Sequence, residues 1–150
     1  MGQTQPSNSG FQQFPVKQIY RGKPAPPLLN HRQRLFRTVI RTGAASAVQF
    51  AGHYTVPEFG CGGGCTDFYI VDSMSGRVYD GFAVVELPGR WEEKHLGNPH
   101  DRIEFLPSSR LFRVNGCPNE RDCGFYDFVM VDGKGLKLLG KQLLPKDFQP

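Results

Sequence analysis

The sequence predicts an α+β fold: one N-terminal amphipathic helix packed on a mainly antiparallel β-meander, with a repeated unit that suggests two similar halves. Three observations carry that expectation. The hydrophobic period is 3.6 residues over one stretch around Leu35 to Ile40 and changes to 2 from Val48 onward. Turn-forming groups, Asp72-Ser-Met-Ser-Gly76 and Asp132-Gly-Lys-Gly135, separate apolar runs at hairpin spacing. Two cysteine pairs, Cys61-Gly-Gly-Gly-Cys65 and Cys117-Pro-Asn-Glu-Arg-Asp-Cys123, each precede an apolar run that ends in aspartate, at Asp72 and at Asp132.

The elements follow in order. Residues 1–10 are rich in Gln, Ser, Asn, Pro and Gly, without a hydrophobic stretch, and read as a flexible lead or an expression scar in place of an export signal. Residues 11–150 read as a single domain. Pro15, Pro24, Pro26 and Pro27 keep 11–30 extended, with a short edge strand at 16–20. The helix is expected over 31–45, with Asn30 as its cap and Gly43 near its end. Leu35, Phe36, Val39 and Ile40 gather on one side of it, and Arg34, Arg37 and Arg41 on the other. Alternation from Val48 to Val56 predicts a half-buried strand, and 68–71 a central one. Further strands are expected at 77–80, 82–87, 102–106, 111–115, 125–131 and 136–143. The connection 88–101 is long for a compact domain and holds the only tryptophan, Trp91.

A chain of 150 residues can bury one core. Its 12% aromatic and 21% charged content is globular rather than disordered. No apolar run approaches the roughly 20 residues of a membrane span. The net charge of +4 is unevenly spread. The first 57 residues hold seven basic and no acidic side chains, whereas the remaining 93 hold 11 basic and 14 acidic ones. A basic N-terminal face suits an acidic partner: nucleic acid, anionic lipid or an acidic protein surface.

Each cysteine pair is close enough in sequence to close a local disulfide, although four cysteines allow three connectivities. An even count with no leftover thiol fits an oxidising compartment, periplasmic or otherwise exported. Reduced buried cysteines and a four-thiolate zinc site are the alternatives; the second pair is wide for zinc. With Cys61 free, its glycine-rich turn and a base from His31, His53, His95 or His100 would make an envelope enzyme with a cysteine nucleophile. Nothing in the spacing fixes that base. His95 and His100 share a loop with Glu92, Glu93 and Asp101, but their spacing matches no metal motif. Gly60 to Gly64 leads into a strand rather than a helix, which argues against a phosphate cradle. No cofactor is implied. The arginines are not interleaved with aromatics as in a nucleic-acid array.

Phe50-Ala-Gly-His-Tyr54, Gly60-Cys-Gly-Gly-Gly-Cys65 and Ile70-Val-Asp-x-x-Ser-Gly-x-Val78 together resemble a family of small exported proteobacterial domains with the pattern Phe-x-Gly-x-Tyr, Gly-Cys-Gly-x-Gly-Cys and Val-Asp-x-x-x-Gly-x-Val. That resemblance spans about thirty residues, a single cross-linked β unit of the kind above, and implies export more than an activity. A small, basic, β-rich exported protein is also similar in kind to immunity proteins of type VI secretion systems. Those proteins block papain-like cell-wall amidases.

The expected function is therefore a non-enzymatic, exported protein-binding module, an inhibitor or immunity protein that occludes a secreted peptidoglycan amidase. The residues expected to meet the partner are Trp91, Glu92, Glu93 and His95 of the long loop, Gly62, Gly63 and Gly64 of the first cysteine loop, and Arg34, Arg37 and Arg41 of the helix. Cys61, Cys65, Cys117 and Cys123 are expected to be structural disulfides. A homodimer is compatible with these features. The third expectation is a basic envelope component that binds anionic lipid through its helix.

Overall fold

The computed structural model describes residues 8–91 and 102–150. Among them the strands are β1 (Tyr54–Thr55), β2 (Glu58–Gly60), β3 (Cys65–Asp72), β4 (Val78–Asp80), β5 (Val84–Val85), β6 (Ile103–Phe105), β7 (Leu111–Pro118), β8 (Gly124–Val131) and β9 (Gly135–Leu143). The α-helix α1 spans Arg37–Ala44. All strand pairs are antiparallel and run in the order β1-β3-β5-β7-β8-β9. β2 and β4 also pair with β3, and β6 with β7.

Alternation along β3 decides the layers. Phe68 and Ile70 point inward and meet Phe112 and Val114 of β7 and Tyr126 and Met130 of β8 in the main core. Tyr69 and Val71 point to the other side, where Ile40 and Ala44 of α1 cover them. β5 joins β3 to β7 only through Cys65↔Val85↔Cys117 and Thr66↔Val84↔Pro118. Beyond that junction β3 and β7 face one another across the core, and the Phe68 and Phe112 ring centroids lie 5.0 Å apart.

The helix is shorter than its periodicity suggests. Gln33–Phe36 form a 3₁₀ turn, and only Arg37–Ala44 is α-helical. Asn30 does not cap α1, whose N-cap is Phe36; it forms a reciprocal pair leading into the 3₁₀ turn, its Oδ1 accepting from Gln33 N–H at 2.8 Å and its own N–H donating to Gln33 Oε1 at 3.0 Å. The Gln33 amide also donates to Asp80 at 2.9 Å, which ties this first turn to the end of β4. The expected apolar side of four residues narrows accordingly. Ile40 is fully buried, whereas Leu35 is 79% exposed. A two-turn helix contacts the sheet through one i, i+4 pair, Ile40 and Ala44, and leaves Leu35 in solvent.

The strand expected over 48–56 breaks in its middle. Ala51 and Gly52 have φ of +50° and +87°, so Phe50 turns back to pair with Tyr54. The N-terminal segment crosses at that turn, where Tyr20 N–H donates to Gly52 O at 2.7 Å. A Cβ at residue 52 would lie 2.9 Å from Gln18 O. The edge strand expected at 16–20 is likewise not a strand; single bonds such as Val16 N–H to Ser108 O dock it. Residues 8–10, read as lead, belong to the 3₁₀ turn Asn8–Gln13, and Phe11 is buried beneath the Arg113 guanidinium. Residues 1–7 lie outside the described residues.

The other expected strands are present, with shifted ends. The one placed at 82–87 shrinks to Val84–Val85; just before it Gly81 packs so closely on Phe68 that a Cβ there would lie 2.1 Å from Phe68 O. β2 was not anticipated: between Pro57 and Cys61 it is too short to display a period.

Candidate interaction face

Both cysteine pairs are closed locally, Cys61–Cys65 and Cys117–Cys123, with Cα separations of 5.0 and 4.0 Å. No free cysteine is left. Cys61 therefore offers no thiolate, and the reading of it as a nucleophile is corrected by its bond to Cys65. The same pairing removes the four-thiolate zinc site. Among the described residues, no three His, Cys, Asp or Glu side chains are disposed to hold a metal ion.

β5 brings the two bridges together. Cys65 and Cys117 are both register partners of Val85, which places the disulfides at one end of the sheet, roughly 10 Å apart across two strand spacings. Residues paired across strands share a face, and Cys65 lies on the same side of β3 as Tyr69 and Val71. The bridges and α1 therefore sit on one side of the sheet.

The two loops differ in how they are held. Cys61, Gly62 and Gly63 are exposed, and a Cβ at Gly62 or Gly63 would touch nothing within 4 Å, so this loop projects. Cys117 and Cys123 are buried with Leu87, Trp91 and Leu144, and Phe148 packs on the same cluster. Within the second loop Asn119, Glu120 and Asp122 all have positive φ, of +52°, +67° and +44°. Such conformations cost about 1 kcal/mol or more each in L-residues and persist where the surroundings hold them. Here the bridge holds the loop, as do Asn119 N–H to Ala83 O at 2.8 Å and the Tyr126 hydroxyl donating to Asp122 O. Beside it a cleft of about 340 Å³ is lined by Val85, Arg90, Cys117, Glu120 and Phe148 among others.

The sequence-predicted residues separate into three groups. Gly62, Gly63 and Gly64 stand on the projecting loop beside Cys61. Arg34 of the 3₁₀ turn and Arg37 and Arg41 of α1 are exposed, with Arg37 Nη1 donating to Arg34 O at 3.1 Å. Trp91 is 3% exposed and stacks edge-on against Phe148 at 5.2 Å. It is part of the cluster under the second disulfide and not a projecting anchor, because its ring closes the apolar floor around Cys117 and Cys123. Glu92, Glu93 and His95 lie outside the described residues, as do His100 and Asp101.

At the opposite end, the aspartates that close the two apolar runs converge on one histidine. His53 Nδ1 lies 2.8 Å from Asp72 Oδ1, and its Nε2 lies 3.3 Å from Asp132 Oδ1. The Tyr54 hydroxyl donates to Asp132 Oδ1 at 2.5 Å, and Asp72 also accepts from Met74 N–H. This clasp joins the end of β3 to the turn between β8 and β9. In the sequence both aspartates end the repeated apolar runs, with no site assigned to them. The repeat itself was the available signal.

Burial, and then the bond to Asp132, push the Tyr54 phenol well above the usual tyrosine range. Burial foremost also raises Tyr69 and Tyr126. The folded chain thus keeps protons that the unfolded chain releases near pH 10. That contribution to stability is whole below about pH 10 and is lost as pH rises beyond it. An alkaline titration followed by phenolate absorbance will show fewer than the five tyrosines ionising before the fold is lost. Tyr54→Phe will shift that loss to higher pH. Five phenols titrating together near pH 10, with circular dichroism unchanged, would contradict this account.

Among the described residues, no helix is long and apolar enough to cross a membrane. Comparison of the chain with protein-family models, with curated proteins and with solved structures finds no match.

Proposed function

We propose that this chain is an exported protein-binding module that inhibits a secreted peptidoglycan amidase, in the manner of an immunity protein. One observation carries the reading: two cross-linked loops stand side by side at one end of the sheet, and the second holds three consecutive or near-consecutive L-residues in left-handed conformations. A loop fixed before binding loses little entropy on meeting its partner, which is how rigid inhibitors gain affinity. The exposed arginines of α1 supply charge on the same side of the sheet, which favours fast capture of an acidic surface. Export agrees with the two disulfides, and an exported chain would meet cell-wall enzymes. The repeated Cys-loop, strand and hairpin belongs to the same reading, as two related halves that each contribute one loop.

Titration against purified papain-like peptidoglycan amidases tests it. A stoichiometric endpoint that survives moderate salt is expected, and Cys117→Ala/Cys123→Ala should weaken it at least about tenfold by releasing the loop. If no such amidase is slowed by an equimolar amount of the protein, the reading is wrong.

A second reading has one observation in its favour. Leu35 is 79% exposed and stands in the chain between Arg34 and Arg37, a combination suited to an anionic lipid surface. It requires salt-sensitive vesicle binding that disappears when Arg34, Arg37 and Arg41 are reversed in charge.

A further inference from the structure

β9 is the longest strand and the terminal one in the pairing order. Only Gly135 and Leu136 at its start are covered; the seven residues from Lys137 to Leu143 are all exposed. Leu138 lies opposite Phe128 and Leu143 opposite Gly124, on the side of the sheet that faces the core, yet they remain 45% and 43% exposed. Leu139 sits at the bulge where the register shifts, and is 48% exposed. The core ends at β8 and β9 overhangs it. A long edge strand with three exposed leucines is normally shortened, covered or blocked.

The charges on the strand indicate what it receives. Lys137 and Lys141 are its only ionisable side chains, and Lys134 and Lys146 flank it. Pairing with a second copy of β9 would set these lysines against each other along one ladder, so the strand rejects itself. An acidic strand meets no such penalty. We infer that the outer edge of β9, which pairs with no other strand among the described residues, accepts an extended, acidic segment of a partner protein by strand addition. Main-chain hydrogen bonds would supply the affinity, apolar residues at alternate positions would cover Leu138 and Leu143, the carboxylates between them would pair with Lys137 on the other side of the sheet, and Lys141, opposite Tyr126 on the leucine side, would add attraction for an acidic segment as a whole. This site does not depend on the cysteine loops and stands whether or not they inhibit an amidase.

The probe is a synthetic peptide alternating glutamate and valine, with a lysine–valine peptide as control. Amide chemical shifts and hydrogen exchange of the full chain are the readout. The acidic peptide should perturb and protect β9 amides, bind at least about tenfold more tightly than the control, and weaken as salt is raised. Lys137→Glu/Lys141→Glu should reverse the preference while leaving the spectrum of the core unchanged, since both side chains are exposed. Perturbation away from β9, equal binding of both peptides or no perturbation at all would overturn the inference. So would concentration-dependent self-association through β9, which would assign the edge to a second copy.

Discussion

Phe112→Ala will cost about 3–5 kcal/mol and lower the melting temperature by roughly 10 °C. Phe112 is fully buried, and its ring meets Phe68 at 5.0 Å, Phe50 at 5.4 Å and Phe105 at 5.7 Å. It lies at the centre of the core where side chains of β3 meet those of β7, two strands whose backbones are joined only through the two-residue β5. Removing the ring leaves a cavity between two backbones that strand pairing holds in place, so the site cannot collapse to fill it. Chemical denaturation under oxidising conditions measures the loss. Leu35→Ala, at a position 79% exposed, serves as the comparison and should change stability by no more than about 0.5 kcal/mol. If the two variants were equally stable, the packing of the two halves described above would be wrong.

Removing the second disulfide by Cys117→Ala/Cys123→Ala is expected to cost about 3 kcal/mol. About 2 kcal/mol of this comes from freeing a seven-residue loop in the unfolded chain. The rest comes from lost packing, since both sulfurs lie in the cluster with Leu87, Trp91 and Leu144. Asn119, Glu120 and Asp122 would then relax from positive φ, and hydrogen exchange in the loop should rise well before the core opens. Cys61→Ala/Cys65→Ala provides the contrast. Its loop is exposed and touches little, so its loss is confined to the cross-link and its effect to the shape of the glycine turn. Equal losses from both double variants would show that the buried cluster adds nothing to the second bridge.

Much of the local structure was legible. The hairpin turns at Asp72–Gly76 and Asp132–Gly135 and the strands that follow the cysteines rest on interactions within a few residues, and each left its mark in residue type and spacing. The 48–56 region shows where such signals fail. Its alternation of apolar and polar residues is correct for a strand, but the N-terminal segment crossing at Gly52 imposes a turn that no local pattern announces. Trp91 left two readings open, an anchor or a plug of the core. Its loop position and charged neighbours suggested an anchor, yet the apolar floor beneath the second disulfide took it into the core.

What the amino-acid order determined by itself was the antiparallel β-rich class and the basic N-terminal third, because both follow from period and charge; which cysteines pair and how far the helix runs did not follow from it. Only the tertiary structure decided that the two disulfides adjoin across Val85, that Asp72 and Asp132 share His53, and that β9 overhangs the core. Those arrangements join residues between 19 and 79 positions apart in some cases, as with His53 to Asp72 and to Asp132. Contacts at such separations form because burying the aromatic core outweighs the entropy of closing the intervening chain, and neither side of that balance is written in any short stretch of sequence.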